Sequence, residues 1–153
     1  MPQKAVEVLI ESLLRERKAK TPSSKSSDQA RLFTGLSEDN LQLLLSHSYM
    51  QDFQAGQEIV QHGDIPEHLY YIIQGRVKTS RYSEAGSEAT IRMLKPGETF
   101  MDAVIFMGGT SPIGAQALED SKLLLIPAGT VRHQALSDPQ FANNLLKIVT
   151  THY

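Results

Sequence analysis

Apolar residues in this 153-residue chain follow two different periods. Between Lys4 and Lys20, Val6, Leu9, Ile10, Leu13 and Leu14 recur every three or four positions, with Glu7, Glu11, Arg15 and Lys18 on the other side, which predicts an amphipathic helix. The same spacing returns at Leu41, Leu44 and Leu45, after Ser37 as an N-cap with Glu38 and Asp39 in the first turn. It returns again at Phe141, Leu145, Ile148 and Val149, after Ser137-Asp138-Pro139. Between these helices the pattern is that of short strands: Tyr49 to Phe53, Glu58 to Gln61, Leu69 to Gln74, Val77 to Tyr82, Ala89 to Leu94, Ile113 to Leu118 and Lys122 to Ile126. Turns at Gly63, Gly75, Gly86 and Gly97 punctuate them, and strands at this spacing predict a sandwich or barrel. Leu69 to Ile73 is apolar throughout, as expected of a strand covered on both faces, whereas Val77 to Tyr82 reads as half exposed.

The stretch from Gly97 to Ile126 carries the most chemistry. It reads as an apolar hairpin, Phe100 to Met107 and then Ile113 onward, around a Gly108-Gly109-Thr110 tip where backbone can approach a ligand or another strand closely. An apolar pocket beneath Phe100, Met101, Val104 and Phe106 is expected.

Four segments are expected: an N-terminal helix over 1–20, a serine-rich linker over 21–30 (TPSSKSSD within it), a β-rich body over 31–136 and a helix from 137 to 153. That last helix reaches His152-Tyr153 with an open stripe, no glycine cap and no cationic last turn, so it reads as cut rather than finished.

Composition narrows the chemistry. Hydrophobic content of 41%, charged content of 21% and a net charge of −2 describe an ordinary globule without the basic field of a nucleic-acid binder. Cysteine is absent, which excludes disulfides, thiolate metal sites, iron–sulfur clusters and a cysteine nucleophile. No apolar run reaches the ~18 residues that span a bilayer, and no signal-peptide core is present, so a cytoplasmic protein without membrane partners is expected. His47, His62, His68, His133 and His152 show no metal-ligand spacing. A cupin-like metal enzyme, the catalytic alternative, needs two histidines one residue apart on a strand, and His68 is followed by Leu69 and Tyr70. No strand–GxSxG–helix elbow is present either, so no enzyme is expected.

LFTGLSEDNLQLLL, then Gln61-His62-Gly63-Asp64, then HLYYIIQGRVKTSRYSEAGSEATIRMLKPGETF together resemble the sensor domain of the CRP/FNR family of bacterial transcription regulators, over about Arg31 to Tyr153. Among its members the chain is most similar to those concerned with nitrogen oxides and nitrate respiration. The resemblance implies a mainly β fold with flanking helices, a double-stranded jelly roll of the cyclic-nucleotide-binding type, turned at Gly63, Gly75, Gly86 and Gly97. It implies an effector site at Phe100, Met101, Asp102, Ala103, Val104, Ser111, Pro112 and Ile113. It further implies a homodimer through the helix bearing Phe141, Leu145, Ile148 and Val149, and DNA contact through a C-terminal domain beyond Tyr153.

The cyclic-nucleotide cassette of that family departs from this sequence at two places. Phe-Gly-Glu, whose carboxylate takes the ribose hydroxyl, is here Phe100-Met101-Asp102. Arg-Ser or Arg-Thr, which clamps the cyclic phosphate, is here Ser111-Pro112. The resemblance therefore implies effector sensing without a cyclic nucleotide, by a small molecule or a gas. The alternative is a cyclic-nucleotide regulatory module of a kinase or channel. Haem stays open by family analogy alone, with the strand ligand of carbon-monoxide-sensing members falling near Ala103 and their N-terminal proline near Pro2.

Overall fold

A computed structural model of the chain describes residues 2–18, 31–82 and 85–151. Ser37 starts a helix as its side chain predicts: its hydroxyl accepts from the Asn40 N–H at 3.1 Å, and the helix runs Glu38–Leu45. This is α2; α1 is Pro2–Lys18, and its apolar stripe buries Val6 and Leu13 against α2 and the first strand.

The strands that follow are β1 (Tyr49–Phe53), β2 (Glu58–Val60), β3 (His68–Gln74), β4 (Val77–Tyr82), β5 (Glu88–Leu94), β6 (Thr99–Phe100), β7 (Ile113–Ala117) and β8 (Ser121–Pro127). They form two antiparallel four-stranded sheets, ordered β1-β8-β3-β6 and β2-β7-β4-β5. β3 and β8 are central and covered on both faces: Leu69, Ile72, Leu123, Leu124 and Ile126 are fully buried, matching the uninterrupted apolar run of the sequence. β4 is more enclosed than its polar residues suggest, since Thr79 and Ser80 are buried in the second sheet.

The predicted turn glycines Gly63, Gly75, Gly86 and Gly97 all have positive φ, between 84° and 98°. Gly75 is doubly constrained. It lies at φ +98°, and a Cβ there would meet the Ser121 main chain at 2.7 Å.

Two elements correct the sequence reading. The apolar run after Phe100 is not a hairpin arm: Val104–Met107 coils into a short helix, α3. A further helix, α4 (Ala128–Ser137), precedes the terminal one, α5 (Pro139–Thr150), with Asp138 capping the joint between them. Asp138 Oδ1 accepts from the N–H groups of Gln140 and Phe141, and Oδ2 accepts from the Gln134 amide.

The stripe on α5 is not open. Phe141, Leu145 and Ile148 are buried in the chain's own core, Val149 is half-buried, and the exposed leucine of this helix is Leu146. Phe141, Leu145 and Ile148 cover the roll within the same chain. Lys147 does lie in the last turn of α5, supplying the cation the sequence reading missed. Asn144 fastens the helix to the segment before α2, donating to the carbonyls of Leu32 and Thr34 at 3.1 and 2.8 Å. The serine-rich stretch at 21–30, His152 and Tyr153 lie outside the described residues.

Candidate functional site

The turn Lys95-Pro96-Gly97 delivers the chain onto β6, where Phe100 pairs with Tyr70 of β3 and their rings stack at 4.6 Å with 2° between planes. Immediately afterwards the backbone reverses at Met101 with φ +66°, the one positive φ of a non-glycine among the described residues. Left-handed backbone with a Cβ costs about 1–2 kcal/mol. Met101 holds it because its side chain is buried, with 2% exposure. The Met101 sulfur reaches the Ser111 hydroxyl oxygen at 4.0 Å. Asp102, also buried, accepts a 2.6 Å hydrogen bond from the Thr99 hydroxyl.

Ser111 closes the opposite side. Its N–H donates to the Asp64 carbonyl and its carbonyl accepts from the Gly63 N–H, which stitches it to the turn ahead of β3. Its hydroxyl is turned back on its own strand, donating to the Ile113 carbonyl at 2.8 Å and accepting from the Ile113 N–H at 3.2 Å. Pro112 and Ile113 are half-buried beside it. From Ala103 to Ser121 the sequence contains no lysine or arginine.

A cation reaches this region from another strand, and the sequence reading missed it. On β5, Leu94 faces the buried Val77 and Arg92 faces the buried Thr79, so Arg92 is directed inward. Ile91 and Met93 are turned out to solvent instead. The β4–β5 register slips between Thr79 and Ser80, leaving Ile91 without an opposite residue; such a bulge re-aims side chains. Burial lowers the Arg92 pKa from its ordinary value, and Asp102 and Glu98 oppose that by favouring its charge. The Arg92 guanidinium lies 3.7 Å from the Glu98 carboxylate. A charged residue inward and apolar ones outward is the reverse of strand patterning, so alternation in the sequence alone points Arg92 the wrong way.

Outside the Met101 turn an open cleft of ≈ 380 Å³ separates the β2–β3 connection from β6. Ile59, Val60, Ile65, Pro66 and Met101 supply its apolar walls. Its polar groups are the carboxylates of Asp64 and Glu67, the His68 ring and the Tyr70 phenol. The His68 Nε2 is 3.3 Å from the Tyr49 hydroxyl. Burial lowers the His68 pKa, partly offset by Glu67. Burial pushes the Tyr70 phenol up to about 12, with Tyr49, Glu67 and Asp64 adding to the rise.

The structure thus brings Met101 within 4.0 Å of Ser111, with Asp102 next to the one and Pro112 and Ile113 next to the other in the chain. Phe100, Met101 and Val104 are packed in the core, Ala103 is half-buried and Phe106 points outward at 46% exposure. Of the predicted pocket residues Met101 alone lines the cleft. The carbonyl of Ile105 in α3 accepts a 2.8 Å hydrogen bond from Arg132 of α4, tying the turn to the helices that follow the roll. Among the described residues no three His, Cys, Asp or Glu side chains converge as metal ligands, and no helix is long and apolar enough to cross a membrane.

The family model for the cyclic nucleotide-binding domain matches residues 50–138. The cyclic AMP receptor protein of Thermus thermophilus is 33% identical over 95 residues, which are 62% of this chain and 44% of that protein. The sensor domain of the transcriptional regulator DNR from Pseudomonas aeruginosa superposes with a TM-score of 0.71 at 29% identity, covering 79% of this chain and 81% of that one. For the Thermus thermophilus catabolite activator protein the TM-score is 0.69 at 29% identity, over 79% of this chain and 57% of that one. The chain spans about half the length of the curated relatives it matches, 44% and 54% for two of them.

Proposed function

The chain belongs to the cyclic nucleotide-binding domain family, and on that premise we propose that it is the effector-sensing domain of a CRP/FNR-type bacterial transcription regulator whose effector is not a cyclic nucleotide. The two sheets are the β-roll of this fold. One observation carries the proposal: Met101 stands where the family's cassette has glycine and fills the space up to Ser111, which stands where the phosphate-clamping arginine belongs. Removing the partner of a buried charge costs about 3–5 kcal/mol. At about 1.4 kcal/mol per tenfold, a micromolar cyclic-nucleotide site falls to roughly millimolar or weaker.

The inward Arg92 favours a second reading, in which it replaces the missing clamp and the domain binds cyclic AMP, as the name of the Thermus thermophilus relative says of that protein. Calorimetry with cyclic AMP and cyclic GMP separates the two. The proposal expects no heat of binding at micromolar nucleotide. Micromolar affinity abolished by Arg92→Gln overturns it.

Sensing is a population shift between two positions of the segment from Met101 to Gly109. Its handle on the rest of the chain is the bond from Arg132 to the Ile105 carbonyl, and α4 is joined to α5 through Gln134 and Asp138. In the whole regulator α5 continues toward a dimer helix and a DNA-reading domain, with two copies of the chain and DNA as partners. Haem does not fit the residues present. Ala103 cannot ligate iron, and the histidine of the cleft has its Nε2 3.3 Å from the Tyr49 hydroxyl. A small organic molecule fits better.

A further inference from the structure

We propose that the cleft between the β2–β3 connection and β6 binds a small organic cation with an apolar body, such as an aromatic amine or a quaternary ammonium ion. The assignment rests on the sensing reading only for what such a ligand does once bound; whether it binds is tested separately.

Three observations meet here. The volume, ≈ 380 Å³, is in the range that holds a small ligand. The walls offer apolar contact, including Ile65, which leaves 72% of its surface in solvent beside two carboxylates. The charge of the lining is one-sided. Asp64 and Glu67 contribute two negative charges, no lysine or arginine lines the cleft, and burial holds the His68 ring toward its neutral form.

The field of those carboxylates is registered by the Tyr70 phenol, which both of them make harder to ionise. An anion entering the cleft meets like charge, whereas a cation is attracted by the carboxylates. One Asp64 oxygen already accepts from the Gln61 N–H at 2.9 Å, which holds that carboxylate at the rim. The main-chain carbonyl of Glu67 accepts from the Ala128 N–H, which fixes the backbone beneath the other. The Asp64 charge is therefore set by the fold before a ligand arrives.

The test is a pair of probes with one ring and opposite charge, phenyltrimethylammonium and benzenesulfonate, titrated into the 153-residue chain while amide resonances are followed. The expected result is saturable shifts at residues 59–70 and Met101 with the ammonium probe only. Glu67→Gln is an exposed change that leaves the main-chain bond to Ala128 in place, and it is expected to weaken that binding by about three- to tenfold. Equal shifts with both probes, no shifts with either, or an unchanged affinity in Glu67→Gln each overturn the assignment. Nucleotide binding seen by calorimetry would overturn the sensing proposal while leaving this one standing, so the two failures are distinguishable.

Discussion

The Met101 sulfur lies 4.0 Å from the Ser111 hydroxyl oxygen, and this contact joins the two places at which the cassette departs from its family pattern. Each departure covers for the other. A long buried side chain fits because the residue opposite is short, and the short residue leaves no void because the methionine fills it.

The two positions should therefore be coupled. Met101→Gly relieves the left-handed backbone, worth about 1–2 kcal/mol, but empties a buried volume worth about 2–5 kcal/mol. A net loss of about 0–4 kcal/mol is expected by urea denaturation. Ser111→Arg alone forces a guanidinium into a filled site and should destabilise the fold without conferring nucleotide binding. The double variant Met101→Gly/Ser111→Arg is expected to bind cyclic AMP measurably by calorimetry; a response from either single variant contradicts the coupling.

Gly63 and Gly75 have nearly the same φ, +95° and +98°, but different surroundings. An added Cβ at Gly63 meets nothing within 4 Å, while at Gly75 it collides with the Ser121 main chain. Gly63→Ala is expected to cost about 1–2 kcal/mol from backbone strain alone. Gly75→Ala should cost about 1–3 kcal/mol more, because β8 must shift. Thermal denaturation of the two variants side by side checks the ranking.

Asn144 is buried, and its amide serves the main-chain carbonyls of Leu32 and Thr34. Asn144→Leu keeps the branched shape of the side chain and removes both donors. The expected loss is about 2 kcal/mol or more, with faster hydrogen exchange in the segment that precedes α2.

Alkaline titration should expose Tyr70. Its folded pKa, about 12, lies above the ordinary value of 10.0, so the fold favours the neutral phenol. The contribution is intact below pH 10 and lost as pH rises through about 12, amounting to about 2–3 kcal/mol at ~1.4 kcal/mol per pH unit. Tyr70→Phe should flatten the stability profile in that window. His68 acts at the other end: its pKa is held below 6.5, so its contribution is present above pH 6.5 and is lost as pH falls through the folded value.

Arg132→Ala removes the donor from the carbonyl of Ile105, the second residue of a four-residue helix. Exchange at the amides of α3 should rise while those of β3 and β8 keep their protection. If α3 is unaffected, the link from the Met101 turn to α4 lies elsewhere.

Seven of the eight strands were legible because strand alternation and turn glycines reinforce one another, the two-residue β6 being too short to show a pattern, and Ser37 announced α2 through a hydroxyl in capping position. The helix α3 was not, since an apolar run as short as Phe100 to Met107 carries no period that separates helix from strand. α4 escaped because its buried positions are Ala128, Val131 and Gln134, and a glutamine facing inward erases the apolar stripe. Gln134 can be buried there because its amide donates to the Asn40 carbonyl and to Asp138, partners supplied by tertiary structure. Arg92 escaped for a related reason: its inward aim depends on the slip at Ile91, which strand pairing reveals and composition does not. The α5 stripe was legible as a buried face, but its packing on the chain's own core was not, because periodicity marks which face is buried without saying against what.

The contacts of Asn144 with Leu32 and Thr34, and of Arg31 with Thr151 at 3.3 Å, lash the two ends of the roll to each other across more than a hundred residues of sequence. A ribosome delivers those ends in succession. Leu32 and Phe33 leave the exit tunnel long before Phe141 and Ile148, which complete the same core, so the nascent roll stays unfinished until its last helix has emerged. Folding of this domain is thus tied to completion of α5, and a translational pause before Phe141 leaves an apolar surface waiting for its cover.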